Sequence, residues 1–123
     1  MAEATDPVLE QARRALIDHA LAYPEATLDH PWGEDVVKVR GKVFVFFGIG
    51  GDTVYVTTKL PESQDFALMQ PGTEPAGYGL GRAGWVSAQY APGDEVPVDI
   101  LRSWIDESYR AVAPKRLVAG LTA

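Results

Sequence analysis

The sequence predicts an α+β domain in which a single antiparallel sheet of about four strands packs with three helices, in the order α-β-β-β-α-β-α. Three observations carry this expectation. Strand-like runs between residues 36 and 59 are joined by turns too short for parallel crossovers. Apolar residues recur at three- and four-residue steps near both ends of the chain. A length of 123 residues leaves room for one domain built around one core, 7–113, with a tail at 114–123.

The first helix opens at Asp6-Pro7, where the aspartate can cap the helix and proline suits a position that needs no amide hydrogen. Leu9, Ala12, Leu16, Ala20 and Tyr23 form its apolar stripe, and Pro24 ends it. A polar turn, Glu25 to Gly33, leads to the first two strands, Val36 to Arg40 and Lys42 to Phe47, which flank a tight Arg40-Gly41 turn. Alternation places Val43, Val45 and Phe47 on one face and Lys42, Phe44 and Phe46 on the other. Both faces are therefore apolar, so each is covered or one is a site.

The third strand, Thr53 to Lys59, is strongly β-branched, with Val54 and Val56 facing one way and Tyr55, Thr57 and Lys59 the other. Leu60-Pro61 starts a short helix whose Phe66 and Met69 are expected to face the core, and Pro71-Gly72 stops it. A glycine-rich loop from Thr73 to Gly84 precedes the fourth strand, Trp85 to Tyr90. Pro97 opens the last helix. There Val98, Leu101, Ile105, Ser108 and Val112 form the stripe, Trp104 and Tyr109 lie at its edges, and Pro114 ends it. The tail from Lys115 to Ala123 is expected to fray.

Composition excludes several function classes. Without cysteine there are no disulfides, thiolate metal sites or cysteine nucleophiles, in keeping with a reducing cytoplasm. Met1 to Asp6 lacks the positive region and apolar core of a signal peptide, and no apolar run approaches the ~20 residues of a membrane helix, so a cytoplasmic location without a membrane partner is expected. The net charge of −6 argues against indiscriminate nucleic-acid binding. Charge is nevertheless uneven: residues 36–59 carry Lys38, Arg40, Lys42 and Lys59 against Asp52, a basic island between acidic flanks.

Catalytic motifs find little support. Gly79-Leu80-Gly81-Arg82-Ala83-Gly84 matches the spacing of a dinucleotide-binding turn, but it follows a loop and leads into a strand, where that mechanism needs a strand before and a helix after. His19 and His30 have no partner at metal-ligand spacing and read as solvated or hydrogen-bonded histidines. No serine sits in a nucleophile elbow. Asp106 and Glu107 are adjacent on a helix and point about 100° apart, which suits helix polarity better than paired acid–base work. No catalytic residue, cofactor or metal is expected.

The basic island carries the functional expectation. Lys38, Arg40 and Lys42 lie at or beside a hairpin tip that can reach a phosphate backbone or an anionic ligand; Lys59 extends the patch and Arg82 joins it. Phe44, Tyr55 and Trp85 offer stacking faces nearby. The plainer reading is that the lysines keep exposed strands soluble while the aromatics build the core.

Five short blocks in order resemble the MmcQ/YjbR family: His30-Pro31-Trp32-Gly33; Val37-Lys38-Val39 with Gly41-Lys42-Val43-Phe44; Gly77-Tyr78-Gly79-Leu80; Trp85; and Leu101 with Ile105-Asp106-Glu107-Ser108-Tyr109-Arg110. The resemblance implies a CyaY-like α+β fold and a suggested DNA-binding role through paired hairpin wings. Lys38, Arg40 and Lys42 would stand in the first wing and Arg82 in the second. This chain places one basic residue before Trp85 and adds Glu34-Asp35 beside the first wing, and both features weaken a DNA reading.

Three roles follow as expectations. The first is a non-enzymatic domain binding DNA through the basic wings. The second is a small-molecule binder with a cleft lined by Trp32, Phe44, Tyr78 and Trp85 near Lys38 or Lys42, for an anionic or aromatic ligand. The third is a protein-interaction module.

Overall fold

Asp6 caps the first helix with its carboxylate, which accepts the Val8 amide at 2.8 Å, and α1 runs Pro7–Leu21 from the proline behind it. The computed structural model describes residues 6–30, 34–50, 52–77 and 79–122. After α1 come β1 (Ala26–Asp29), β2 (Asp35–Val39), β3 (Lys42–Gly50), β4 (Thr53–Lys59), α2 (Gln64–Leu68), β5 (Thr73–Pro75), β6 (Trp85–Tyr90), α3 (Val98–Val112) and α4 (Lys115–Ala119). Short 3-10 turns occupy Leu80–Ala83 and Gly120–Thr122. The strands form one antiparallel sheet in the order β1-β2-β3-β4-β6-β5.

Among the described residues the sheet therefore has six strands rather than about four, and the α-helices number four rather than three. The two strands beyond expectation are the edges. β1 exposes three of its four residues, and three-residue β5 contains Pro75, which only an edge strand tolerates. Neither buries a face, so neither leaves an alternating pattern. The tail expected to fray carries α4, and Leu117, Val118 and Leu121 pack against the core. In α2 only Ala67 is buried; Phe66 and Met69, expected inside, are exposed, because the helix is a single short turn lying on β5 and β6.

One face of the sheet is covered by α1 and α3. Leu9, Leu16 and Ala20 of α1 meet Leu101, Trp104, Ile105 and Tyr109 of α3 over a floor of Val37, Val39, Val45, Phe47, Val54 and Val56. The β2–β3 hairpin turns through Arg40 (φ 53) and Gly41 (φ 81), and positive φ at both central residues is the type I′ geometry that matches strand twist.

Register shifts between Val37 and Lys38: Val37 pairs with Val45 and Lys38 with Val43, leaving Phe44 as an unpaired bulge residue. The bulge overrides simple alternation. Phe44 turns into the helix-covered core, fully buried and edge-on to Tyr109 at 5.1 Å and Tyr23 at 6.2 Å. Ser108 of α3 braces the distortion. Its hydroxyl donates to the Phe44 carbonyl and accepts the Lys59 amide at 2.8 Å.

Candidate functional site

Opposite the helices the sheet presents a second, sparsely covered face. Burial alternates along β4, with Val54, Val56 and Thr58 buried and Tyr55, Thr57 and Lys59 only partly so. The same holds on β6, where Ser87 and Gln89 are partly exposed between buried neighbours. On this face lies a cleft of about 360 Å³. Phe46 and Tyr55 supply its aromatic floor, Ala76 and Leu80 stand at one wall, and Glu34 stands at the rim. Thr57 and Ser87 join hydroxyls across β4–β6 at 2.9 Å.

Space in the cleft comes from glycine. Gly48 pairs with Tyr55 and lines the cavity; a Cβ there would sit 3.5 Å from Glu34 Oε2 and 3.8 Å from Tyr55 Cβ, ordinary contact distances. The position is thus empty by choice of residue rather than by steric need. Trp85 stands beside Phe46, ring centroids 5.5 Å apart and planes at 68°, and is buried. Val36, opposite Phe46 in the register, is also buried on this side.

The aromatic residues expected in a cleft are thus redistributed. Phe44 belongs to the core, because of the bulge. Trp85 borders the floor through Phe46. Trp32 and Tyr78 lie outside the described residues. Phe46 and Tyr55 line the cavity instead, and the signal for Phe46 was its place on a strand apolar on both faces.

The predicted cations do not act as one free patch. Lys38 pairs with Asp29 at 2.8 Å, and its ammonium holds that carboxyl below the usual carboxylate range. Arg40 grips Glu25 through two guanidinium nitrogens, one of them at 3.1 Å, and likewise lowers Glu25. Lys42 is exposed at the hairpin tip, Lys59 stands on the cleft face opposite Trp85, and Arg82 lies in the 3-10 turn. Among the described residues these three form no ion pair.

Other sequence features prove structural. Within the dinucleotide-like run, Gly84 adopts φ +94 to enter β6, and a Cβ on Gly81 would approach Pro75 Cβ to 2.8 Å. Asp106 accepts the Tyr23 hydroxyl at 2.7 Å and Arg110 Nε at 2.7 Å, while Glu107 accepts the Glu62 and Ser63 amides ahead of α2. Burial, then the bond to Asp106, raises the Tyr23 pKa. Tyr109 stacks on Tyr23 at 4.6 Å and donates to the Pro24 carbonyl at 2.9 Å. His19 lies 3.4 Å from the Tyr23 hydroxyl, and burial lowers its pKa. His30 contacts Asp35. Among the described residues no group of three or more histidines and carboxylates converges as a metal site, and no helix is long and apolar enough to cross a membrane.

A six-stranded antiparallel sheet with helices on one side and a cleft on the other places the chain among the α+β single-sheet domains. The YjbR family model matches residues 21–111, and the chain belongs to that family. Its fold is also similar to a crystal structure of a protein from Pseudomonas syringae, with a TM-score of 0.61 and 23% sequence identity over 81% of this chain and 97% of that one. No curated protein matches the chain.

Proposed function

We propose that this YjbR domain is a non-enzymatic small-molecule binder that seats a flat, largely apolar ligand in the open-face cleft. One observation carries the reading: an apolar cavity of about 360 Å³ is floored by Phe46 and Tyr55 and kept open by Gly48 in the middle of a strand. Mid-strand glycine forfeits packing and costs backbone entropy, and such a position commonly marks close approach of a ligand or backbone. The paired hydroxyls of Thr57 and Ser87 supply polar contacts that fix orientation, as small-molecule sites do with a few polar groups in an apolar lining.

The test is a thermal-shift screen of planar aromatic and heteroaromatic compounds on the wild-type chain and on Gly48→Val. Valine fits strand geometry and projects into the cleft, so the variant is expected to keep or raise its own melting midpoint. A ligand at 100 times its Kd adds about 2.7 kcal/mol, or roughly 8–16 °C in a domain of this size. That shift is expected in the wild type and not in Gly48→Val. A screen without hits, or a hit that stabilises both proteins equally, removes the proposal.

A DNA-binding role through the wings draws on Lys42, Lys59 and Arg82, which lack carboxylate partners among the described residues. It is less well supported, because Lys38 and Arg40, central to the first wing, are already neutralised. Fluorescence anisotropy with duplex DNA at low ionic strength separates the two readings, and the ligand reading expects no salt-dependent binding.

A further inference from the structure

A second cavity, of about 450 Å³, lies at the other end of β6, between the turn that follows it and the start of α3. Tyr90, Asp94, Glu95, Pro97, Ile100 and Trp104 are among its lining residues. Its chemistry differs from that of the open-face cleft: the lining includes two carboxylates and no lysine or arginine.

Tyr90 is the informative residue. It is 6% exposed, yet its hydroxyl makes no hydrogen bond among the described residues. The ring is packed away while the hydroxyl keeps access to the cavity, where water or a ligand group can satisfy it. Asp94 uses Oδ2 to accept the Ala91 amide at 2.8 Å, which leaves its other oxygen available. Burial, with a smaller contribution from the negative charge of Asp94, pushes Tyr90 up to about 12, so the phenol stays protonated at neutral pH. Tyr90 and Asp94 line the same cavity and share no hydrogen bond among the described residues. A group with several donors seated between them satisfies both.

We infer that this cavity binds a small organic cation, a primary ammonium group carried on an apolar body, with the ammonium between the Tyr90 hydroxyl and the carboxylates of Asp94 and Glu95. The apolar body lies against Ile100, Pro97 and the ring of Trp104, 5% exposed at the cavity. The ammonium gains cation–π attraction from whichever aromatic face it meets. The start of α3 opposes a cation with about half a unit of positive charge, but the two carboxylates outweigh it fourfold. The inference does not depend on the open-face cleft.

The experiment is a 1H–15N NMR titration of the full chain with n-butylammonium chloride, with sodium chloride at equal ionic strength as the control. Saturable shifts confined to residues 90–95, Ile100 and the Trp104 indole are expected. Asp94→Asn keeps an oxygen for the Ala91 amide and removes the charge; it is expected to weaken binding at least fivefold. Tyr90→Phe is expected to weaken it several-fold with native dispersion of the spectrum. Gly48→Val is expected to leave binding unchanged, so failure of the open-face reading is distinguishable. Shifts that do not saturate, that sodium reproduces, that spread over the acidic surface, or that survive both Asp94→Asn and Tyr90→Phe overturn the assignment. So does loss of binding in Gly48→Val, which places the amine in the other cleft.

Discussion

Phe44 and Phe46 stand two residues apart on β3, where regular alternation would put both on one face of the sheet. The bulge separates them. Phe44 is wholly buried beneath α3, wedged against Tyr109 and Tyr23, whereas Phe46 stays partly exposed on the cleft floor beside Trp85. The same side chain is a structural anchor on one face and a candidate ligand contact on the other. Strand hydrophobicity does not decide which. The decisive difference is whether helices cover the face, and here α1 and α3 cover only one.

The comparison predicts unequal costs for equal substitutions. Phe44→Ala leaves a closed cavity in packed core and is expected to cost about 3–5 kcal/mol. Phe46→Ala removes a ring already in contact with solvent and is expected to cost about 1–2 kcal/mol, while widening the open-face cleft. Urea denaturation of the two variants checks the ordering. Similar midpoints would mean that the two faces are equally packed and that the cleft is not an open site.

A hydroxyl pair sharpens the same contrast at smaller scale. Ser108 is fully buried and serves both the Phe44 carbonyl and the Lys59 amide, so Ser108→Ala strands two backbone groups at the bulge. The expected loss is about 2 kcal/mol. Ser87 meets Thr57 on the cleft side, where water can replace it, and Ser87→Ala is expected to cost roughly 0.5 kcal/mol. Equal losses measured by chemical denaturation would contradict the distinction.

Sequence pattern was most legible where one face is buried and the other is not. The bounds of β4 and β6, the Asp6-Pro7 helix start and the α3 stripe all follow from such patterns. It was least legible at the sheet edges, and the omission had a functional consequence. Without β1, Lys38 and Arg40 read as free cations. With β1 in place, Ala26 pairs with Val39 and Thr27 with Lys38, which brings Asp29 to Lys38 and Glu25 to Arg40 across the ladder. The apparent basic wing is largely a set of ion pairs between residues well separated in sequence. The bulge was equally hidden, since no residue type in Val43-Phe44-Val45 marks it. Trp104 and Tyr109, which read as edge residues, are buried because α3 packs on both the sheet and α1. The cleft was legible only as a question posed by a strand apolar on both faces.

The two faces meet differently at Asp35, where the helix-covered side turns polar, and there the comparison becomes a pH experiment. Arg13 of α1 donates to both Glu10 and Asp35, and His30 contacts Asp35 from beyond β1. Burial alone would raise the Asp35 carboxyl, but the hydrogen bonds from Arg13 and His30 outweigh it and hold the carboxyl below its usual range. A carboxyl lowered in the folded state stabilises the fold above its unfolded pKa, about 3.9 for Asp. That contribution is lost as pH falls through the folded value. Wild-type stability is therefore expected to decline with acid below about pH 4. Asp35→Asn is expected to lose about 1 kcal/mol at pH 7 and to show a shallower acid decline. Glu25 and Asp29 are also lowered, but they are solvent-exposed and screened, so their contribution to this slope is smaller and salt-sensitive. Urea midpoints measured from pH 7 to pH 3 at high salt isolate the Asp35 contribution. An acid slope identical in wild type and Asp35→Asn would show that the seam between α1 and β2 does not hold the helix-covered face in place.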